Sequence, residues 1–245
     1  MEYDYRKGKQ NIENILNEEN DVEQVNTIPL DNDFVKTGYY GKVTSIFVDI
    51  RKSTKFFSKN KKTSVAKTIK CFSSEIFEIL SKKSNLREIG VRGDCVYAIY
   101  SGSTSNDDIE VFELAVLINT YLKMLNKLLL KRQMKTIRVG IGISTDIDLV
   151  VKAIDNKKDI NCKVWIGRGI TYAAKLSSCA NHKNKKCILF TSEFYNSINQ
   201  FLYKKYLNLN TNKLEKYNYQ EFGVVYGIEL YNQKFDSWID EGMKS

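Results

Sequence analysis

The sequence predicts an α+β fold with a ferredoxin-like βαββαβ core, and three observations carry that prediction. First, VTSIFVD (43–49) is a short β-branched and aromatic run of the kind that forms a buried strand. It is followed over 64–80 by Val65, Ile69, Phe72, Ile76, Ile79 and Leu80, spaced to share one helical face. Second, LREIGVRGD and CVYAIYSG (86–102) read as two strands folded back on a Gly-Asp turn. Third, a long amphipathic segment over 109–130 precedes the strand IRVGIGIS (137–144). The order β-α-β-β-α-β is the split βαβ arrangement.

Further elements follow this core. LVVKAI (149–154) and KVWIG (163–167) each read as a strand, and the Ala-rich GITYAAKLSSCA (169–180) as a packed helix. CILFT is a strand, SEFYNSI a short helix, and GVVYGIEL (223–230) a final strand. Ahead of the core, Ile12, Ile15 and Leu16 recur at helical spacing, which predicts a short amphipathic helix or arm. With a single proline, Pro29, no Pro-rich linker divides the chain. The expected organisation is an arm over 1–40 and one domain over 41–245.

Composition excludes several function classes. A chain of 245 residues with 42% hydrophobic and 27% charged residues has the balance of a globular protein. No apolar run approaches the ~20 residues of a membrane span. The N-terminus MEYDYRKGKQ has no apolar signal region, so a cytoplasmic protein without a membrane partner is expected. Five cysteines without a C-x-x-C pair, and one histidine, argue against a zinc site and against Ser-His-Asp or Cys-His catalysis. Reduced, mostly buried thiols are expected. His182 lies in the polar turn NHKNKK. The formal charge of +9 suggests an anionic partner. The short lysine runs read as solvated loops, and no nucleic-acid partner is expected.

The residues that could carry chemistry lie where the core strands meet. Asp49 ends the first strand and Asp94 sits in the hairpin turn. In the ferredoxin-like order that turn lies beside the end of the first strand, so the two carboxylates converge. Paired aspartates suit Mg²⁺ or Mn²⁺, which take oxygen ligands and keep substrate phosphates as further ligands. The alternative is structural, with Asp49 capping a helix and Asp94 holding a turn. Arg51, Lys52, Ser53 and Thr54 follow Asp49 and lead towards a helix, which suits a polyphosphate.

These segments resemble the class III nucleotidyl cyclases. FVDIRKST looks like the family's metal-binding strand and phosphate loop, and VRGDCVYAIYSG like its Gly-Asp hairpin. RVGIGIST followed by LVVKA resembles its dimer-proximal hairpin, and IGRGITYAAKLSS its late motif. The resemblance covers roughly 43–230. It implies a cyclase fold with extra C-terminal elements. It further implies two divalent metals (Mn²⁺ or Mg²⁺) on Asp49, Asp94 and the Ile50 carbonyl, and attack of a ribose 3′-oxygen on the α-phosphorus. A homodimer is implied, in which one subunit's late motif completes the other's site.

The departures from that pattern are informative. The late asparagine and arginine of the family fall at Thr171 and Lys175, the residues the resemblance makes catalytic; Arg168 is a neighbouring alternative. The purine-reading positions of adenylyl and guanylyl cyclases fall at Gly90 and Val164, so neither purine-reading set is present. With the compact R-G-D-C-V-Y-x-I pattern, this resembles the pyrimidine cyclases of Pycsar antiphage systems, whose cyclic UMP or cyclic CMP activates a separate effector. Arg92, on the strand face of Asp94, only donates hydrogen bonds. Uracil O4 accepts where the cytosine amino group donates, which favours UTP over CTP. The expected substrate ligands are therefore Arg51, Ser53, Thr54, Arg92 and Tyr40, with Tyr39 and Trp165 as further stacking or packing candidates. A purine cyclase with unusual base readers, and a catalytically silent nucleotide-binding module, remain the alternatives.

Overall fold

The computed structural model describes residues 3–17, 19, 21–152, 163–207 and 213–244. One mixed sheet organises them. Strand β2 (Gly38–Ile50) and strand β5 (Val139–Lys152) pair antiparallel without a register break, from Gly38 opposite Val151 to Ile50 opposite Val139. On the other side of β2 lies β4 (Cys95–Tyr100), then β3 (Leu86–Arg92). The core order β3-β4-β2-β5 is the expected ferredoxin-like one. Beyond β5 the sheet continues through β7 (Ile188–Thr191), β9 (Gly223–Ile228) and β8 (Glu215–Tyr219), while β6 (Lys163–Ile166) pairs with β5.

Alternation along β2 separates two sheet faces. Ile46, Val48 and Ile50 enter the main core beneath α3 (Lys62–Leu80) and α4 (Ser105–Lys131). Both helices are slightly longer than their apolar stripes predict. A capping box of Thr104 and Asp107 starts α4 ahead of its first apolar residue. On the opposite face Phe47 and Asp49 lie beside α5 (Arg168–Cys179), which packs on β5 and β2. Gly142 makes that approach possible: a Cβ there would run into the backbone of Ala173 and Ser177. Leu176, Ala180, Leu189 and Val225 close this side of the sheet.

Three expectations change. RVGIGIST and LVVKA are not separate strands: both belong to the continuous β5, and the hairpin partner is β6. The apolar pattern showed a gap at TDID because Asp148 is buried rather than looped out. Residues 153 and 154 of that run lie outside the described residues. The boundary between 40 and 41 falls inside β2, and strand β1 (Val22–Gln24) pairs parallel with Gly38–Tyr40. Ile28 and Phe34 are buried with Tyr39, Val43 and Val150, so the segment before 41 is part of the packed structure. Only helix α1 (Tyr5–Asn17), with Ile12, Ile15 and Leu16 exposed, has an arm's burial pattern. Finally, Cys71 is exposed, Cys95 and Cys179 are half-buried, and only Cys187 is buried among the described cysteines; Cys162 lies outside them.

A short helix α2 (Ser53–Lys59) follows β2 directly. Helices α6 (Ser192–Leu202) and α7 (Gln233–Asp240) complete the layer over the main core. Among the described residues no helix is long and apolar enough to cross a membrane.

Candidate active site

Asp49 and Asp94 meet at the end of β2. Asp49 stands opposite Cys95 in the β2–β4 register. The next residue, Ile50, donates its N–H to the Asp94 carbonyl at 3.4 Å. Gly93 takes φ +64°, a conformation that suits glycine and folds the turn tightly against the end of β2. Burial raises the Asp49 carboxyl above its ordinary value; the Arg51 guanidinium opposes that shift and the Asp94 charge adds to it. Cys95 feels the same concentration of negative charge: burial, then Asp49 and Asp94, push its thiol up to about 12.

The capping alternative for Asp49 does not hold. The residue before α2 is Lys52, in the left-handed conformation and without a side-chain cap bond. Arg51 instead forms an ion pair with Asp49 and donates to the Ser178 carbonyl at the end of α5. The groups that could hold a metal here are hard oxygens, the Asp49 and Asp94 carboxylates, with the Ile50 carbonyl next in the chain to Asp49. Among the described residues no group of three or more His, Cys, Asp or Glu side chains gathers into a metal cage. Such a pair fits a divalent ion that takes the rest of its shell from phosphate and water, as Mg²⁺ and Mn²⁺ do.

On one side of this pair opens a cavity of about 730 Å³ lined by Arg51, Lys52, Lys55, Lys59, Lys135, Arg138 and Lys183, with His182. No carboxylate lines it among the described residues. Ser53 and Thr54 are the first residues of α2 and are not among the residues that line it. On the other side, along the same sheet face, Tyr97 stacks on Phe47 with centroids 5.2 Å apart and planes at 13°. The Tyr97 hydroxyl donates to Glu88 Oε1 at 2.8 Å, and Trp165 Nε1 donates to Glu88 Oε2 at 2.7 Å. Arg92 is exposed opposite Cys95, at the same end of the hairpin.

Not every expected residue joins this face. Tyr40 lies on the opposite face of β2 from Asp49, and residues 40 to 49 of an extended strand span about 30 Å. Its hydroxyl donates to Gln24 at 3.3 Å. The aromatic run at 39–40 lacked the strand start that would have set its phase, and the structure removes Tyr40 from the substrate ligands within its own chain. Tyr39 is buried against Phe34. Thr171 and Lys175 are exposed on α5, and Lys175 pairs with Glu221 rather than with the Asp49 end. Arg168 pairs with Asp146 at 2.8 Å.

Asp148, Glu88 and the ring of Tyr97 carry no spacing signal. Asp148 accepts from the Gly169 and Ile170 N–H groups at 2.9 and 2.8 Å, so a β5 carboxylate caps α5. That contact links residues brought together only by the β5–β6 hairpin.

A sheet with paired carboxylates at the end of a central strand, beside a cationic cavity, places the chain among nucleotidyl cyclase folds. The adenylyl cyclase CyaB from P. aeruginosa superposes with a TM-score of 0.64 at 16% identity, over 80% of this chain and 97% of that one. Residues 35–218 match the adenylate and guanylate cyclase catalytic domain. The chain belongs to that family. Among curated proteins it is 43% identical over 244 residues to the uridylate cyclase of Treponema porcinum, covering 99% of this chain and 83% of the relative. It is 25% identical to the uridylate cyclase of Gulbenkiania mobilis, over 98% of this chain and 96% of that protein.

Proposed function

We propose that this chain is a uridylate cyclase that converts UTP to 3′,5′-cyclic UMP and pyrophosphate. The observation that carries the reading is the convergence of Asp49 and Asp94 beside a cavity lined by seven Lys and Arg side chains. The similarity to two uridylate cyclases supports the choice of base. In the reaction the ribose 3′-hydroxyl gives its proton to solvent water, its oxygen bonds to the α-phosphorus, the bond from that phosphorus to the oxygen bridging to the β-phosphate breaks, and pyrophosphate leaves.

Asp49, Asp94 and the Ile50 carbonyl would hold two divalent ions, Mn²⁺ or Mg²⁺. When bound, these supply a lowered 3′-hydroxyl pKa and neutralise triphosphate charge. Arg51 binds phosphate once it leaves Asp49, and Ser53 and Thr54 donate hydroxyls to the same group. The neighbouring lysines neutralise the leaving pyrophosphate, which is electrostatic stabilisation rather than general-base chemistry. Thr171 and Lys175 of a second subunit bind ribose and phosphate across a homodimer interface. Arg92 donates to a uracil carbonyl and sets UTP ahead of CTP. The product serves as a cytoplasmic second messenger in antiphage defence and acts on a separate effector.

The test is incubation of the purified protein with each labelled nucleoside triphosphate and Mn²⁺, followed by thin-layer chromatography. Cyclic UMP is the expected main product. Faster turnover of ATP or GTP than of either pyrimidine would overturn the assignment, and no turnover of any nucleotide would favour a silent binding module.

A further inference from the structure

Both arginines that line the cationic cavity are committed, at rest, to the C-terminal end of α5. Arg51 donates from Nη2 to Asp49 and from Nη1 to the Ser178 carbonyl. That carbonyl lies in the last turn of α5, where no intrahelical N–H reaches it and a cation is favoured. Arg138 donates to the Asn181 backbone carbonyl at 2.7 Å and to its side-chain oxygen, just beyond the helix. At the other end of α5, Asp148 accepts from Gly169 and Ile170. Between these clamps β5 presents Gly140 and Gly142, which let the helix backbone come close and offer no side chain to key it. The two arginines therefore help to set where the last turn of α5 lies.

The resting arrangement leaves Arg51 incompletely satisfied. Its Nε is buried without a hydrogen-bond partner among the described residues, and a buried donor left unpaired is unfavourable. The next residue, Lys52, is held at φ +56°, and Asn181 and Lys183, which also line the cavity, are each at +54°. Left-handed backbone at non-glycine residues marks a segment held by its surroundings rather than by its own preference. A phosphate supplies what is missing. It accepts two parallel N–H bonds from one guanidinium, a stronger arrangement than a single bond to a carbonyl. Asp49, once it holds a divalent ion, no longer accepts from Arg51. Phosphate in this cavity thus draws the arginines off the end of α5.

Ser178 also lines a second cavity of about 710 Å³, together with Lys175, Tyr219, Glu221 and Phe222. Lys175 and Ser178 stand three apart, on one helical face. The last turn of α5 thus meets the phosphate cavity through the Ser178 carbonyl and leads directly into the Lys175 face. We infer that Arg51 and Arg138 are positioning residues that couple the two sites of a homodimer: phosphate bound in one chain releases the end of that chain's α5, and the Thr171 and Lys175 face lent to the partner then binds a second nucleotide less well. A released turn must be ordered again when Lys175 meets substrate, and that ordering weakens the second site. The inference rests on the proposed cyclase reading with sites shared between subunits.

The experiment titrates the wild-type homodimer with α,β-methylene-UTP in Mn²⁺ by calorimetry. It also follows amide hydrogen exchange over 176–186 with and without the nucleotide. Arg51→Lys and Asn181→Gly are treated alike, and cyclic UMP formation from UTP is measured separately. In the wild type the second site should bind about fivefold or more weaker than the first. Exchange at Ala180 and Asn181, whose N–H groups donate to the Leu176 and Lys186 carbonyls, should quicken. Arg51→Lys keeps the charge but not the fork, and should bring the two affinities within about twofold of each other. Asn181→Gly keeps the left-handed turn, removes one acceptor of Arg138 and should narrow the difference in the same direction. It covers the case of an Arg51→Lys protein that binds too weakly to titrate. Equal sites in the wild type, unchanged exchange over 176–186, or a difference that survives both substitutions would overturn the coupling while leaving a UTP-cyclising enzyme intact. Unequal sites that depend on Arg51, in a protein forming no cyclic product, would overturn the cyclase reading and keep the coupling. A protein that stays monomeric, or binds no nucleotide, would overturn the shared-site reading and the coupling together.

Discussion

The carboxylate end of β2 and the exposed face of α5 have been assembled to different degrees. At Asp49 one chain supplies two carboxylates and a stacked aromatic pair placed by strand register, beside a cationic cavity lined by α2 and the segments 135–138 and 181–183. On α5 the backbone is equally well fixed, capped by buried Asp148, but Thr171 and Lys175 point away from that end. Lys175 is left with an exposed acid, Glu221. On the proposed reading, a helix held this firmly, with Thr171 and Lys175 exposed, is half of a site: strand register would complete the metal half locally, whereas the late-motif half would need a second surface to act on.

The largest effects should come from the half assembled in one chain. Asp49→Ala and Asp94→Ala are each expected to reduce cyclic product to background while leaving the fold intact by thermal unfolding. Near wild-type turnover by either folded variant at saturating Mn²⁺ would remove the carboxylates from the chemistry. The comparison itself is broken or kept by mixing. Asp49→Ala and Lys175→Ala, each inactive alone, should together recover up to about a quarter of wild-type activity. Random pairing makes half the dimers mixed, and each mixed dimer holds one intact site. Mixed dimers shown to have exchanged, yet inactive, would place both halves in the same chain.

Stability of the α5 half gives the next effect. Asp148→Ala leaves the Gly169 and Ile170 N–H groups without their acceptor and should cost about 1–3 kcal/mol, read by denaturant unfolding. Its pH dependence has a defined sign. Burial raises the Asp148 carboxyl above its ordinary 3.8, and the two amide bonds only partly oppose that. The native state therefore keeps this proton to a higher pH than the unfolded state. The contribution of the group falls as pH rises from 3.8 to the raised value and is level above it. The difference between wild type and Asp148→Ala should accordingly be larger at the acid end of that window. A difference independent of pH would mean that Asp148 does not titrate above its unfolded value.

The same division explains what could be read from the sequence. Asp49 and Asp94 were legible because each ends or turns a strand with a strong apolar pattern, and element order alone makes those ends neighbours. The apolar pattern splits β5 in two because Asp146 and Asp148 interrupt it. Asp148 is tolerated there only because α5 presents N–H groups to it. Tyr40 failed for a related reason: β2 starts at Gly38, so residues 39 and 40 belong to the strand, and alternation puts Tyr40 on the face away from Asp49. Glu88, Tyr97 and Trp165 come from three strands, and nothing in their spacing announces one carboxylate shared by two donors. Gly90 offers no side chain at the purine-reading position, and the space beside it is filled by the Tyr97 ring from the next strand.

The smallest effect separates a resting contact from a working one. If Lys175 serves a second subunit's substrate, its pairing with Glu221 competes with that duty. Both side chains are about half exposed, at 48% and 52%, so the pair is screened and worth no more than about 1 kcal/mol. Glu221→Gln keeps shape and hydrogen bonding while removing the charge. It should leave the unfolding midpoint nearly unchanged and lower KM for the nucleotide by up to about fivefold, because a freed lysine meets phosphate without first losing a partner. The shift should shrink as salt rises, since an exposed pair is screened within about 10 Å at 0.1 M ionic strength. Lys175→Ala made in the Glu221→Gln background should erase the gain. A KM that rises in Glu221→Gln, or a gain that survives loss of Lys175, would mean that Glu221 itself holds the substrate side of the interface and that Lys175 is bound to it for structure alone.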